Sequence, residues 1–227
     1  MPPRPAPDAP EREPAVAPLG ATPHAVWILL AAALVFLAGA IHPKYPADWL
    51  LENLLVFAGA AALALAWRRF RFSDVSLLLL LVFLALHTYG AHYTYSETPA
   101  GDWMRDRFGL ARNPWDRLVH FAFGLLVTYP WREIALRVLH LHGLAGWIVP
   151  LLASTTTSAG YELVESWVAR AVAPELGTAF LGTQGDAWDA QKDMGAALLG
   201  ALLALALTAL YRRRTGRDPW RTAVSAR

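Results

Sequence analysis

The stretch GTQGDAWDAQKDMGAALLGALLALALTALYRRR, Gly182 to Arg214, indicates the fold class. Its second half, from Met194 to Tyr211, contains no charged residue and is followed by three consecutive arginines. A helix of about 20 mostly apolar residues is long enough to cross the hydrocarbon core of a bilayer. The stretch therefore predicts a membrane-spanning helix with aspartates at its mouth, where an ionised carboxylate needs a partner or water.

The composition of the whole chain is typical of a membrane protein. Of its 227 residues, 56% are hydrophobic and only 17% are charged, and the mean hydropathy is +0.32. The absence of cysteine excludes disulfides, thiolate nucleophiles, thiolate zinc sites and iron-sulfur clusters. The formal net charge is +2, and the arginines stand at the ends of apolar runs instead of forming one basic surface, so we expect no nucleic-acid partner.

The chain divides into a tail and a series of apolar segments. Residues 1–23 hold half of the sixteen prolines and few bulky apolar side chains, which predicts a disordered cytoplasmic tail. Residues 24–214 predict an all-α fold, a polytopic bundle of about six transmembrane helices, and residues 215–227 predict a basic cytoplasmic tail. The six apolar segments are Ala25 to Ile41, Leu50 to Trp67, Val75 to His92, Asp116 to Trp131, Leu144 to Ala171 and Trp188 to Tyr211. The fourth segment looks short for a span.

The distribution of basic residues predicts the orientation. The motifs WRRFRF, WREIALR and YRRRTGR follow the second, fourth and sixth segments, and cytoplasmic loops are enriched in lysine and arginine. Placing these motifs inside leaves both termini in the cytoplasm. The connection from Tyr95 to Trp115 is then an extracytoplasmic loop of mixed charge. Tryptophans stand near most segment ends, where their rings favour the headgroup layer.

Acids and histidines gather at the outer ends of four predicted helices. At a rise of about 1.5 Å per residue, His87 and Glu162 lie deep along outward-running helices, near their outer ends. Inward-running helices open on the same side with one pair of polar residues each. These pairs are Asp116 with His120 and Asp189 with Asp193, both at i,i+4 spacing, and Glu162 with Glu165 is an i,i+3 pair. Each pair therefore projects from one helix face, which predicts a shared polar pocket.

Each element of this pocket also has a structural interpretation. Asp116 and Asp189 are placed as acids in the first turn of a helix, where the helix dipole favours them. Asp193 lies one turn deeper, so its charge needs a cation or a proton, and Arg117, Arg170 or Lys192 could neutralise it in a purely structural network. Two further motifs favour helix packing: the hydroxyl-rich STTTSAG at Ser154 to Gly160, alternatively a polar path, and the small residues Gly195, Ala196 and Gly200.

Four motifs in order carry a resemblance to a known family: HTYGAHYTYSETPAGDW, NPWDRLVHFAFG, GYELVESW and GTQGDAWDAQKDMGAALLG. Together they resemble the YjdF-type family of bacterial inner-membrane proteins over about Ala25 to Arg214. The resemblance implies a six-span protein of the bacterial inner membrane, and it implies no mechanism. The chain also resembles VanZ-like membrane proteins more distantly, which implies cell-envelope work. The residues in matching places there are Asp116, His120, Glu162, Asp189 and Asp193.

The leading functional hypothesis is an outward-facing pocket that binds a divalent metal, zinc, manganese or iron, and acts on a lipid or cell-envelope substrate. The candidate metal ligands are His87, Asp116, His120, Glu162, Asp189 and Asp193, and the candidate catalytic residues are Glu162, Glu165 and His87. The enzyme would be a metal-dependent hydrolase at the membrane surface, without the H-E-x-x-H motif. The alternatives are a small proton- or cation-coupled transporter and a structural protein whose polar network locks its helices.

Overall fold

The computed structural model describes residues 23–172, 177 and 182–222, and every regular element among them is a helix. The helices are α1 (Pro23–Gly39), α2 (Pro46–Glu52), α3 (Leu54–Ala66), α4 (Asp74–His92), α5 (Pro99–Phe108), α6 (Trp115–Arg137), α7 (Ala145–Ala171), α8 (Asp189–Thr215) and α9 (Pro219–Thr222). Residues 1–22 of the predicted Pro-rich tail and 223–227 of the predicted basic tail lie outside the described residues. The predicted all-α class is confirmed.

All six apolar segments are helical, but the second is broken. Instead of one helix from Leu50 to Trp67, the chain forms α2 and α3, which meet at Asn53 with a bend of 44°. Asn53 is fully buried, and its side-chain amide donates to the carbonyl of Trp49 at 2.7 Å. The same carbonyl accepts a hydrogen bond from the backbone N–H of Asn53 at 3.2 Å, so Asn53 closes the end of α2 with both its main chain and its side chain.

The expectation that the fourth segment is short was wrong. Helix α6 runs for 23 residues and ends at Arg137, well beyond Trp131. The predicted segment ended at Trp131 because the charged residues Arg132 and Glu133 follow it. Both of these side chains are nevertheless buried. Arg132 pairs with Asp218 at 3.1 Å, and Glu133 accepts from the backbone N–H of Ser73 at 2.8 Å. Because both charges have partners, they lie within the packed helix.

Two of the described helices, α4 and α8, are long and apolar enough to cross a membrane. The bent pair α2 and α3 would be a third span if the two helices act as one. Helices α6 and α7 have the length, but their histidine, hydroxyl and charged residues make them less apolar, and α1 is shorter. The chain is thus a helical protein with two to three candidate spans, and six spans stay a prediction.

A helix that was not predicted lies in the connection after α4. Pro99 occupies the start of α5, a position that suits proline because its missing N–H has no helical partner there. Gly109 ends the helix in the left-handed conformation, with φ of 62°. Trp103 and Phe108 of α5 are largely exposed, at 63% and 64%. This amphipathic helix suits the boundary between lipid headgroups and water.

Helix α6 lies at the centre of the bundle. It packs most extensively against α8 and also contacts α4 and α7, while α1 packs against α4. At Gly124 of α6 there is no room for a side chain, because an added Cβ would collide with the backbone carbonyl of Ala197 on α8. The two helices therefore cross in backbone contact, which brings the start of α8 beside the start of α6.

Candidate functional site

The beginning of α6, the end of α7 and the beginning of α8 meet, as the spacing of their polar residues predicted. His120 Nε2 of α6 lies 3.3 Å from a carboxylate oxygen of Glu162 on α7. Arg117 Nε, also on α6, lies 3.3 Å from Asp193 Oδ1 on α8. These two contacts place polar groups from three helices in one pocket.

The beginning of α6 is held by its own side chains and by the loop before α8. Asn113 lies one residue before the N-cap position, which is occupied by Pro114, and its Oδ1 accepts a hydrogen bond from the N–H of Trp115 at 3.1 Å. Gln184 bonds twice to the backbone of Asn113, accepting from its N–H at 3.0 Å and donating to its carbonyl at 3.1 Å. These two bonds hold the loop against the start of α6. The next helix, α8, begins shortly after this loop, at Asp189.

Three aspartates form the centre of the pocket. Asp116, Asp189 and Asp193 each offer a carboxylate oxygen, and the three oxygens lie within 4.8 Å of one another. Asp189 and Asp193 are buried, and Asp116 is partly buried. Three ionised carboxylates at this separation repel one another strongly unless cations or protons neutralise them. The geometry is therefore suited to holding positive charge.

Two arginines supply part of that charge. Arg112 forms a short ion pair with Asp189 and also donates to the carbonyl of Thr183 at 3.1 Å. Arg117 reaches three carboxylates: those of Asp189 at 2.8 Å, Asp193 at 3.3 Å and Asp186 at 3.5 Å. Arg117 had been considered as a neutralising residue from the sequence, whereas the role of Arg112 was missed. Asp189 thus faces two guanidinium groups.

Asp186 lies at the rim, outside the membrane-spanning helices. The ammonium of Lys192 donates to it at 2.6 Å, and the backbone N–H of Trp188 donates at 3.1 Å. These hydrogen bonds favour the ionised form, so they lower the pKa of Asp186 below its usual value. Lys192 therefore acts on the rim, and Arg117 connects the rim to the buried aspartates.

His120 and Glu162 form the side of the pocket that has no arginine contact. His120 Nε2 lies 3.6 Å from Asp116 as well as 3.3 Å from Glu162, so the imidazole stands between two acids on different helices. The contact with Glu162 lacks hydrogen-bond geometry, and Oε1 of that carboxylate has no hydrogen-bond partner among the described residues. This side of the pocket therefore offers a partly buried acid and an imidazole that can exchange a proton or bind a cation.

His87 is not a member of the group formed by the three aspartates. Its Nδ1 lies 2.6 Å from the hydroxyl of Tyr95, and its ring stands beside Phe83. Tyr95 fits there because Gly90 leaves space: an added Cβ at Gly90 would lie 2.7 Å from the tyrosine ring. His87 Nε2 has no hydrogen-bond partner in the described part of the chain. His87 is therefore a predicted ligand whose observed polar partner is Tyr95 and not one of the aspartates.

Glu165, one turn beyond Glu162, is buried in the same region. It lies within electrostatic range of Asp116 and Glu162, and also of Glu52 on α2. His92 makes a 3.0 Å contact with the backbone carbonyl of Gly39. Glu165 therefore faces the pocket, and His92 joins α4 to the end of α1.

Two acids of α2 were missed by sequence reasoning. Asp48 is fully buried, and Glu52 is 3% exposed. Glu52 Oε2 accepts a hydrogen bond from the hydroxyl of Tyr161 at 2.7 Å, and the ring of Tyr161 lies 6.2 Å from that of His120. The signal was present, because Asp48 and Glu52 have the same i,i+4 spacing as the acids that were chosen.

Comparison with known proteins gave two matches and one absence. A family described as "Predicted membrane protein (DUF2238)" matches residues 24–214. The inner membrane protein YjdF of Escherichia coli (strain K12) is 35% identical over 183 residues, which cover 80% of this chain and 86% of that protein. No solved structure gave a significant match.

Proposed function

The chain belongs to the family of predicted membrane proteins described as DUF2238, and on that premise we propose a six-span protein of the bacterial inner membrane with both termini in the cytoplasm. Three observations support this arrangement. Each of the six apolar segments contains a helix. The E. coli relative is named an inner membrane protein. The basic residues at the ends of the second, fourth and sixth segments satisfy the positive-inside rule when they are cytoplasmic.

We further propose that the outer pocket binds a divalent cation. The observation that carries this proposal is the group of three carboxylate oxygens, from Asp116, Asp189 and Asp193, within 4.8 Å of one another. Together with the imidazole of His120, these carboxylates form a set of ligands that suits zinc, manganese or iron, which accept imidazole and carboxylate ligands. The acids also outnumber the cations. The acids are Asp116, Glu162, Glu165, Asp186, Asp189 and Asp193, and the cations are Arg112, Arg117 and Lys192. A bound cation would offset the excess of negative charge.

The substrate class that fits this pocket is a phosphate-bearing lipid headgroup or envelope precursor. The pocket opens at the outer surface in the proposed topology, where headgroups lie. Arg117 is one-third exposed at the rim, and a guanidinium binds phosphate oxygens through paired hydrogen bonds. A bound metal would polarise the phosphate and activate water. Glu162 would then accept a proton, with His120 holding it in position and Glu165 as the second acid.

Metal analysis of the detergent-purified chain tests the cation site. We expect about one zinc, manganese or iron per chain in the wild type, and loss of that metal in Asp193→Asn and His120→Ala. Asp106→Asn is the matched control, because Asp106 is an acid of the same outer side and its side chain is 71% exposed. Equal metal content in all four proteins would contradict the site, as would no metal after zinc and manganese are added back.

A transporter is the second candidate, and a stripe of buried hydroxyls on α7 favours it. Ser154 and Ser158 precede Glu162 at intervals of four residues, so the three lie on one helix face. Both serines are buried, and their hydroxyls have no hydrogen-bond partner among the described residues. By contrast, the hydroxyls of Thr155 and Thr157 bond to the helix backbone. The stripe could lead water or protons inward from Glu162.

Proton flux into proteoliposomes that contain a trapped pH dye tests the transport candidate. Glu162→Gln should abolish any protein-dependent flux, and Ser158→Ala should reduce it severalfold. Thr156→Ala is the matched control, since Thr156 lies on the exposed side of the same helix. Flux that is unchanged in Glu162→Gln would exclude this route.

The third candidate is a structural network, which the ion pairs of Arg112 and Arg117 favour. These pairs join the start of α6 to the start of α8. If these ion pairs serve only to lock the helices, Arg117→Gln should lower the melting temperature and, to the same extent, weaken any cellular phenotype that depends on the protein. Loss of the phenotype at unchanged melting would count against this candidate.

A further inference from the structure

Helix α2 carries a pair of acids that the proposed metal pocket does not use. Asp48 and Glu52 lie one helical turn apart, so their side chains share one face. The exposed fractions are 0% for Asp48 and 3% for Glu52. Burying an ionised carboxylate is costly unless a cation or hydrogen-bond donors compensate for the lost water. The compensation at this pair is incomplete.

Neither acid has a cationic partner within ion-pair distance in the described part of the chain. Glu52 receives one hydrogen bond, from the hydroxyl of Tyr161 at 2.7 Å. Both carboxylate oxygens of Asp48 lack a hydrogen-bond partner there. The two acids also act on each other electrostatically, since their charges have the same sign. This face of α2 is therefore short of positive charge.

A second polar group points at the pair from another part of the chain. Thr94, in the turn that follows α4, is 3% exposed, and its hydroxyl has no hydrogen-bond partner in the described structure. The hydroxyl faces Asp48 closely enough to act on its carboxylate, but the two groups do not form a hydrogen bond of good geometry. A buried hydroxyl and a buried carboxylate that face each other without a well-formed hydrogen bond are suited to binding a third group.

We propose that Asp48, Glu52 and Thr94 bind a hard divalent cation, Mg²⁺ or Ca²⁺, at a site separate from the three aspartates. Every donor atom here is an oxygen, and oxygen ligands select magnesium and calcium over the metals that prefer imidazole or thiolate. Two carboxylates match the charge of one divalent ion. Tyr161 stands between the two sites, because it donates to Glu52 and its ring lies near that of His120.

Thermal unfolding of the full-length chain in detergent, with and without added salt, tests the proposal. Millimolar MgCl₂ or CaCl₂ should raise the melting temperature of the wild type by about 4 °C or more, because a ligand that binds only the folded state stabilises it. The shift should disappear in Asp48→Asn and fall by at least half in Thr94→Val. It should persist in Asp193→Asn, which alters the aspartate pocket instead.

The measured quantity is the shift produced by the cation, since Asp48→Asn alone changes the starting stability by removing a buried charge. Thr94→Val keeps both acids and the side-chain shape, so it serves if Asp48→Asn does not fold. Asp106→Asn is the matched control, because Asp106 is an acid whose side chain is 71% exposed. No shift in the wild type would overturn the proposal. So would a full shift in Asp48→Asn and Thr94→Val, or a shift lost in Asp193→Asn.

The failure of this site and the failure of the proposed metal pocket give different results. The metal pocket is judged by zinc, manganese or iron content in Asp193→Asn, and the α2 site by the magnesium or calcium shift in Asp48→Asn. Loss of one response with the other intact assigns each cation to its own group of acids.

Discussion

Gly124 on α6 and Gly200 on α8 lie against each other where the two helices cross. A Cβ added at Gly200 would lie 3.2 Å from the carbonyl carbon of Gly124 and would collide with the carbonyl oxygen of Phe121. His120 lies one turn before this crossing and Asp193 about two turns before it, so the contact sets how closely their helices approach at the pocket. Close packing at small residues thus positions the outer site.

This crossing predicts that alanine at Gly124 or Gly200 destabilises the protein. The added methyl group meets backbone atoms, which cannot swing aside, so we expect a loss of about 1–3 kcal/mol in the free energy of unfolding. Gly195→Ala is the matched control on α8, because a Cβ there has nothing within 4 Å. The control should be neutral or up to about 1 kcal/mol more stable, since alanine favours helix over glycine. Reversible unfolding in mixed detergent measures all three, and equal effects would refute the crossing.

The second prediction concerns the C-terminal end of α6. The buried guanidinium of Arg132 lies 3.7 Å from the ring centre of Trp147 and pairs with Asp218, which precedes α9. Asp218→Asn removes the compensating charge and should cost about 3–5 kcal/mol, because Arg132 stays buried. Arg214→Gln, an exposed change in the same region, should cost little. Similar melting temperatures for the two variants would show that the pair contributes nothing.

The third prediction is a pH effect at the rim of the pocket. Lys192 and the N–H of Trp188 lower the pKa of Asp186 in the folded state. A carboxyl with a lowered folded pKa stabilises the protein above its unfolded pKa, and this contribution is lost as the pH falls through the folded pKa. Between the wild type and Asp186→Asn, the stability difference should therefore shrink as the pH falls below about 4. Lys192→Gln should reproduce the behaviour of Asp186→Asn in melting curves from pH 3 to 7, and a constant difference would contradict it.

The fourth prediction concerns topology and uses the absence of native cysteine. Single cysteines at His42 or Trp103 should react with a membrane-impermeant maleimide added to intact cells from the periplasmic side, because six spans place both outside. Cysteines at Arg69, His142 or Arg214 should react only after the membrane is opened. Trp103 suits the test because it is 63% exposed on α5. Labelling of the Arg69 variant in intact cells would contradict the six-span arrangement.

The sequence by itself determined the helices and the helical positions of most of the site. Length and apolarity are local properties, so the six apolar segments could be recognised before any packing was known. The i,i+4 spacing likewise put Asp116 with His120, and Asp189 with Asp193, on shared faces. Gly200 was correctly predicted to allow close helix approach, whereas Gly195 faces open space.

Tertiary structure alone decided which of these polar groups meet. Asp48 and Glu52 were not selected from the sequence, yet both are buried, and Glu52 accepts a hydrogen bond from Tyr161, which lies 109 positions later in the chain. His87 contacts Tyr95, and Arg112 pairs with Asp189, which lies 77 positions later in the sequence. Which groups become partners depends on how α6 crosses α8 and on the path of the loops. The free energy of a buried charge depends on these distant neighbours, and local sequence does not contain them.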